Sequence, residues 1–192
     1  PDGQSWTETS VTPASDVKSI AYGGNTFVAV GNDFVMTSQD GANWTTQQLH
    51  AEGCTYTYLK SITYGTGLFV AVGNGYLSNT YPGIIFTSPD GVTWTQRPSG
   101  VNVPLTQVSY GGGTFLAFGE GGLVLASKDG ISWQAKLPIE GPPLAGATFV
   151  DGAFIAVGEG GKMLQSGVLK GDLNMDGRID LTDFVLGVRI LS

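Results

Sequence analysis

The chain is poor in charged residues and in cysteine. Only 13% of its 192 residues are Asp, Glu, Lys or Arg, about half the usual share. The nine basic residues are scattered and the net charge is −7, which excludes the basic stripe that a nucleic-acid-binding protein needs. The single cysteine, Cys54, excludes an intramolecular disulfide, and we expect it to be a buried, small apolar residue. No apolar run reaches the roughly 18 residues that favour a membrane helix.

Glycine and apolar residues are abundant instead. The chain has 30 glycines, and 41% of its residues are hydrophobic, which is ample for a packed core. Low charge together with many glycines, valines and aromatics favours an all-β protein with many tight turns.

A short segment recurs four times along the chain. It reads SIAYGGNTFVAVGN at 19–32, SITYGTGLFVAVGN at 61–74, VSYGGGTFLAFGE at 108–120 and ATFVDGAFIAVGE at 147–159. The aligned phenylalanines, Phe27, Phe69, Phe115 and Phe154, are 42, 46 and 39 residues apart. Each repeat predicts an alternating strand, a strand that is apolar on both faces, a third strand before Asp-Gly and a fourth that starts at a Trp. Four antiparallel strands at this spacing predict the blades of a β-propeller.

The two ends of the chain carry complementary parts of one repeat. Residues 1–8, PDGQSWTE, match the PDGVTWTQ that ends the second repeat, whereas the fourth repeat has KMLQS at 162–166 without such an ending. We therefore predict a propeller of four four-stranded blades over residues 1–168, closed when the N-terminal strand completes the last blade. Two alternatives are a fragment of a larger ring and a subunit that donates its first strand to a neighbour.

The second repeat departs from the others at two segments, HAEGCTYTY at 50–58 and GYLSNTYPG at 75–83. Loops on a rigid scaffold commonly carry binding residues. We predict that Tyr56, Tyr58, Tyr76 and Tyr81 form an aromatic surface on the propeller rim for a protein or glycan ligand. The alternative is that these tyrosines only cover the edge of the blade.

A Ser-x-Asp-Gly-x-x-Trp element occurs as SQDGANW at 38–44, SPDGVTW at 88–94 and SKDGISW at 127–133. It resembles the Asp-box (BNR) repeat of sialidases, sortilin-like receptors and the photosystem II assembly propeller, with one residue fewer between Asp and Gly. It is also similar to repeats of secreted and cell-surface bacterial proteins. In such a turn the Asp carboxylate accepts backbone N–H groups and the Trp packs between blades. We therefore expect structural, not catalytic, roles for Asp40, Asp90 and Asp129.

Catalytic constellations are sparse. A sialidase clamps its substrate carboxylate with several arginines, but the repeats contain only Arg97, with Arg178 and Arg189 in the tail. A glycosidase needs two carboxylates, and the candidates outside the turns are Glu52, Glu120, Glu140, Asp151 and Glu159. Glu120 and Glu159 occupy equivalent repeat positions, which favours a structural role. His50 has no plausible Ser or Cys partner for a triad. A non-enzymatic module is favoured, and a carbohydrate-active propeller (a lectin or a glycoside hydrolase other than a sialidase) is the alternative.

The segment GDLNMDGRIDLTD at 171–183 has the pattern of a calcium loop. Gly177 stands at the sharp turn, and the ligand positions hold Asp172, Asn174, Asp176, Arg178 (through its carbonyl), Asp180 and Asp183. Hard oxygen ligands in this order predict a Ca²⁺ site of the EF-hand type.

Two departures from an EF-hand make this tail similar to a dockerin repeat. The last ligand is Asp183 rather than Glu, and no helix is predicted before the loop. The resemblance implies that residues 169–192 form a loop followed by a helix over 181–192, with a cohesin-like partner as one option. Because weak calcium sites suit extracellular calcium levels, we expect a secreted or surface protein of a bacterium. The predicted function is an extracellular binding or scaffold module, for adhesion or assembly, with a Ca²⁺-stabilised C-terminal segment.

Overall fold

The structure, a computed structural model, describes residues 16–136, 144–166 and 189–190, the last pair by its backbone only. Within these ranges the chain forms four antiparallel sheets of four strands each. The strands of each sheet follow one another in chain order, so that each sheet is a simple meander. We refer to the sheets as blades 1 to 4. No helix in the described ranges has the length and apolar character to cross a bilayer.

Blades 1 and 2 lie within residues 17–97. Blade 1 consists of β1 Val17–Gly23, β2 Thr26–Gly31, β3 Phe34–Ser38 and β4 Thr45–Gln48. Blade 2 consists of β5 Tyr56–Gly65, β6 Leu68–Tyr76, β7 Gly83–Ser88 and β8 Thr95–Arg97.

Blades 3 and 4 follow the same order. Blade 3 consists of β9 Leu105–Gly111, β10 Thr114–Gly119, β11 Val124–Ser127 and β12 Gln134–Lys136. Blade 4 consists of β13 Leu144–Val150, β14 Ala153–Gly158, β15 Met163–Gln165 and β16 Arg189–Ile190. Short 3-10 turns, Glu120–Gly122 and Glu159–Gly161, follow β10 and β14.

The second strand of blades 1 to 3 is largely buried on both faces, as its sequence predicts, whereas β14 of blade 4 is buried on one face. In β6, Ala71 packs in the core that blade 2 shares with blade 1, whereas Val70 and Val72 pack in the core shared with blade 3. All three are fully buried. Blades 2 and 3 therefore lie within a stack in which their second strands each contribute to two cores.

The innermost strands hold the blades together: β1 packs on β5, β5 on β9 and β9 on β13. No comparable interface joins β13 to β1 in the described part of the chain. The predicted closure into a ring is therefore not found there, and the described blades form an open arc.

The outermost strand of blade 4 corrects a second prediction. Leu164 and Gln165 of β15 pair with Ile190 and Arg189, so this edge is occupied by the C-terminal end of the chain and not by residues 1–8. Because a strand edge pairs with one partner, the N-terminal segment cannot complete the sheet at these residues. The helix predicted over 181–192 is wrong at 189–190, which form a strand. The calcium loop and residues 1–8 lie outside the described residues.

The Asp-Gly-x-x-Trp turns have the local structure expected of them. In blade 2, Asp90 Oδ1 accepts hydrogen bonds from the N–H groups of Val92 (2.8 Å) and Thr93 (2.7 Å). Trp94 Nε1 donates to the Gly91 carbonyl at 2.9 Å, and its ring packs on the core between blades 1 and 2. The same bonds recur around Asp40 and Asp129.

These backbone donors stabilise the ionised carboxylates. They lower the pKa of Asp90 and of Asp129 to about 2, and they hold the pKa of Asp40 well below its usual range. A carboxylate engaged in this way holds its turn closed and is a poor proton donor or acceptor near neutral pH. The structural role expected for the three aspartates is supported by this geometry.

Candidate binding cleft on the rim of blade 2

The candidate site begins with an extension of blade 2. Strands β5 and β6 continue past the length of their counterparts, until Tyr56 pairs with Tyr76. The chain then reverses in a tight turn in which Leu77 and Thr80 exchange backbone hydrogen bonds of 2.8 and 3.1 Å. Ser78 and Asn79 have positive φ values of 46° and 67°, and Tyr76 Oη donates to Asn79 Oδ1 at 3.2 Å. The insertion in the second repeat is thus an ordered hairpin tip.

The four tyrosines predicted to form an aromatic surface do lie together on this extension. Tyr56 is 6.2 Å from Tyr58 and 6.3 Å from Tyr76 between ring centroids, and Tyr76 is 5.5 Å from Tyr81. Tyr56 and Tyr81 are each about half exposed, at 49% and 47%. The rings therefore cover the edge of the blade and also present an aromatic surface to solvent.

The segment 50–58 is fixed against blade 1 and against the hairpin. Asp33 Oδ1 accepts from Thr57 N–H at 2.6 Å and lies 3.2 Å from His50 Nδ1. Thr55 N–H donates to the Tyr76 carbonyl at 2.8 Å. The carboxylate beside His50 is thus that of Asp33, which fixes the loop by its hydrogen bond to Thr57. The described residues form no nucleophilic triad around His50.

A cleft of about 780 Å³ opens beside this extension, between blades 2 and 3. One wall is the hairpin tip, with Asn79, Thr80 and Tyr81, and the base is formed by Lys60 and Asn74. The opposite wall is the loop before β9, with Asn102, Val103 and Pro104, together with Glu120.

Hydrogen bonds across the blade boundary hold the two walls in place. Gly83 N–H donates to the Val101 carbonyl at 3.2 Å, and Ser99 Oγ donates to the Gly83 carbonyl at 2.6 Å. On the far side, Glu120 N–H donates to the Pro104 carbonyl at 3.0 Å. The cleft is thus largely pre-formed, as ligand sites usually are.

The chemistry of the cleft is that of a polar binding site. Its described lining includes the amides of Asn74, Asn79 and Asn102, one cation, Lys60, and one carboxylate, Glu120. An amide side chain both donates and accepts hydrogen bonds. Glycoside hydrolysis by the usual mechanisms needs a pair of carboxylates at a set separation, and the described lining supplies one.

The other carboxylates proposed for a glycosidase are dispersed. Glu120 and Glu159 begin the equivalent turns after β10 and β14, which supports the structural interpretation of their repeat position. Asp151 sits in the β13–β14 turn with a φ of 50°. Glu140 lies outside the described residues, as do the predicted calcium ligands. In the described ranges no three His, Cys, Asp or Glu side chains are grouped as metal ligands.

Sequence reasoning found the tyrosines of this site but missed the opposite wall. Asn102, Val103 and Pro104 carry no motif, and they reach the cleft only because blade 3 packs beside blade 2. One sequence signal could have indicated this wall. Residues 98–104 contain Pro, Gly and Asn, which predicts a loop, and they directly precede β9, so that the loop lies on the same rim as the hairpin tip.

Comparison with known proteins identifies the fold of the chain but does not assign it to a family. No protein-family profile matches the chain, and a search of curated proteins finds no match. Among solved structures, YCF48 bound to D1 peptide superposes with a TM-score of 0.61 and 20% identity, over 85% of this chain and 54% of that one. The chain thus spans about half the length of that structure.

Two further structures show the same likeness. One, from the GH130 family of mannoside phosphorylases, has a TM-score of 0.55 and 12% identity, over 93% of this chain and 70% of that one. A chain of the Nidogen/Laminin complex has a TM-score of 0.57 and 12% identity, over 84% and 61%. At these identities the likeness extends to the fold alone, since one fold serves many functions. The described part of the chain is built from β-propeller blades.

Proposed function

We propose that the chain is a non-enzymatic binding module and that the rim cleft between blades 2 and 3 is its ligand site. The observation that carries this is the cleft itself, about 780 Å³ in volume and within the usual range of ligand sites. Amides, one cation and an aromatic ring converge on it, whereas one carboxylate is too few for the usual glycosidase mechanisms.

A polypeptide segment is the ligand class that the lining suits first. The amides of Asn79 and Asn102 lie on opposite walls and can pair with the N–H and C=O groups of an extended chain. Tyr81 and Val103 offer apolar contacts beside them. Propellers of similar fold include one solved with a bound peptide, which is consistent with this use of the fold.

A glycan is the second candidate, and the half-exposed Tyr56 and Tyr81 favour it. Tyrosine rings present a flat apolar face with a polar tip, a combination that can stack on a sugar ring. In this version the module is a lectin, the nearest form of the carbohydrate-active alternative that needs no second carboxylate.

The test is a random-peptide display library and a glycan array, both probed with the whole chain, together with a glycosidase activity screen. A ligand of the cleft is expected to bind Tyr81→Ala and Asn102→Ala about tenfold more weakly, equivalent to about 1.4 kcal/mol. Gln47→Ala, on the exposed outer strand of blade 1, is the control and should bind normally. Turnover of a glycoside, or binding that ignores both cleft variants, would refute the proposal.

We also propose that the repeat is of the Asp-box type. Three turns with the same Ser, Asp, Gly and Trp contacts support this: Ser88 Oγ, for example, donates to Asp90 Oδ1 at 3.0 Å and accepts from Gly91 N–H at 2.8 Å. The arrangement recurs at Ser38 and at Ser127.

The C-terminal segment is proposed to bind Ca²⁺ through Asp172, Asn174, Asp176, Arg178, Asp180 and Asp183. The support is the order of oxygen ligands in the sequence. Calorimetric titration of the whole chain should give a Kd of about 10⁻⁴–10⁻³ M, the range of extracellular modules. Asp176→Ala should abolish the binding and Glu52→Gln should retain it; unchanged binding in Asp176→Ala would exclude this loop.

An extracellular or surface location, and a cohesin-like partner, depend on that calcium site. Calcium concentrations that would saturate so weak a site occur outside cells. Detection of the protein by antibody on intact cells or in culture medium tests the location. Failure of immobilised cohesin domains to retain the Ca²⁺-loaded chain would remove that partner and leave the cleft proposal unaffected.

A further inference from the structure

Each boundary between consecutive blades contains an aromatic ring seated on a glycine. The ring of Tyr64 lies on Gly23, that of Tyr110 on Gly65 and that of Phe149 on Gly111; a Cβ added at any of these glycines would overlap the ring sterically. We call the ring the knob and the glycine the socket. The knob always belongs to the later blade and the socket to the earlier one.

A second contact has the same direction. The glycine of an Asp-Gly turn lies against the second strand of the preceding blade: a Cβ on Gly91 would be 2.6 Å from Val28 Cγ2, and one on Gly130 would be 3.0 Å from Val70 Cγ2. Both glycines are buried. Blades 2 and 3 therefore each present a knob and a turn glycine to the blade before them, and blade 4 presents a knob.

Blade 1 has the same knob and turn glycine, but no other described blade packs against them. Tyr22, its knob, is 55% exposed, and Ile20 is 55% exposed where its counterpart Ile62 is 5% exposed. Gly41, its turn glycine, is exposed, and its nearest contact would be Phe27 of the same blade at 3.9 Å. A groove of about 340 Å³ runs beside these residues, lined by Ile20, Met36 and Trp44 among others.

The opposite end of the arc differs at one position. Blade 4 keeps the aliphatic residues that face a following blade elsewhere, with Ile155 and Val157 in the places of Val28 and Val30. Its socket position, however, holds Val150, which is 50% exposed. The Cβ of Val150 and its two methyl groups occupy the space that a knob takes at Gly23, Gly65 and Gly111.

We propose that the face of blade 1 that no described blade covers, formed by Ile20, Tyr22, Gly41 and Trp44, docks a further blade of this repeat type that carries glycine at its socket position. The occupant follows from continuity with the three blade boundaries described above. Val150 excludes blade 4 of a second copy from this role, so we expect the chain not to polymerise head to tail although these two faces are otherwise complementary. Heterologous contacts of that kind build open filaments when they do not close.

The experiment gives blade 4 a glycine at its socket position, so that it can act as the proposed partner of blade 1. Val150→Gly opens the socket, and Ile20→Lys in the same chain places a charge on its own docking face, so that this donor chain offers a socket but no competent docking face. The acceptor is the unaltered chain. Masses are measured by light scattering and sedimentation velocity, for each protein alone and for equimolar mixtures, at increasing concentration.

The unaltered chain and the donor are each expected to be monomeric, and their mixture to form a 1:1 complex. Two control mixtures should form no complex. In the first, the donor is mixed with a chain that carries only Ile20→Lys. In the second, the unaltered chain is mixed with a donor that carries Val150→Ala in place of Val150→Gly, because alanine retains the Cβ. Val150→Gly without the Ile20 change should associate with itself. Glycine in a strand costs about 0.5–1 kcal/mol of stability relative to alanine. Thermal unfolding is therefore used to check that each variant is folded.

A second donor guards against loss of folding. Adding Gly146→Ala restores strand propensity in β13, and its Cβ would lie 3.8 Å from the nearest described atom. If the unaltered chain associates with itself, and Ile20→Lys abolishes this association, Val150 does not block docking and its proposed role is overturned. Absence of a complex between the acceptor and both folded donors would overturn the docking face.

Discussion

The hydroxyl of Ser61 accepts a hydrogen bond of 3.1 Å from the N–H of Val108, across the boundary between blades 2 and 3. The equivalent Ser19 accepts from Ile62 N–H at 3.2 Å between blades 1 and 2. Neighbouring innermost strands are thus joined by side chains as well as by apolar packing.

Replacing Ser61 with alanine should lower the free energy of unfolding by about 1–3 kcal/mol, the cost of leaving a buried donor unpaired. Ser61 and Val108 are both buried at 2% exposure, so water has little access to the orphaned N–H. Urea denaturation measures the change. Ser78→Ala, in the exposed hairpin tip, is the control and should stay within about 0.5 kcal/mol of the unaltered chain.

Replacing Gly65 with alanine should destabilise the protein by about 1–3 kcal/mol, because the added methyl group overlaps the Tyr110 ring and forces the blades apart. Gly146→Ala adds the same methyl group to another innermost strand, at van der Waals distance from Val157. Thermal or urea unfolding should show a loss for the first variant and little change for the second. Equal stability of the two variants would contradict the seating of Tyr110 on Gly65.

Gly91→Ala and Gly41→Ala form a matched pair. Both glycines have positive φ, 79° and 74°, so both substitutions carry the strain of a left-handed alanine, about 1–2 kcal/mol. Only Gly91 also lies against the preceding blade. Gly91→Ala should therefore cost at least about 1 kcal/mol more than Gly41→Ala. Were Gly41→Ala the costlier change in urea denaturation, a neighbour would have to cover the turn of blade 1.

The turn aspartates should make the protein sensitive to acid. Because the pKa of Asp90 is lowered from 3.8 to about 2 in the folded state, the ionised turn contributes its full stability above about pH 4. That contribution is lost as the pH falls from about 4 through 2. Asp90→Asn retains an acceptor oxygen but no charge, so its unfolding free energy should fall less steeply over this range. Gln47→Ala, an exposed change in β4 that removes no titratable group, should leave the slope unaltered.

The repeat itself could be read from the sequence because a blade is a local object. Its strands pair with their neighbours in the chain, and the period-two pattern shows which residues are buried. The predicted third strands end at Ser38, Ser88 and Ser127, before the Asp-Gly turns, and the fourth strands begin one residue after Trp44, Trp94 and Trp133. The grouping of the four tyrosines followed from two insertions within one hairpin.

The arrangement of the blades could not be read in the same way. Matching ends suggested that residues 1–8 complete blade 4, but β15 pairs with Arg189–Ile190, and sequence similarity gives no information about which of two segments reaches a distant edge. The second wall of the cleft, with Asn102 and Pro104, likewise depends on how blade 3 sits beside blade 2.

The sequence by itself determined the four repeats, their turns and their tyrosine-rich insertion, because hydrogen bonding and burial within a blade involve residues close in the chain. Only the tertiary structure decided that Tyr22 lacks a described socket while Tyr64 and Tyr110 have theirs, and that the cleft has two walls. Both depend on contacts between blades, where loop closure brings together residues far apart in sequence and where a single added methyl group, as a Cβ at Gly65 would be, is enough to spoil the fit of two surfaces.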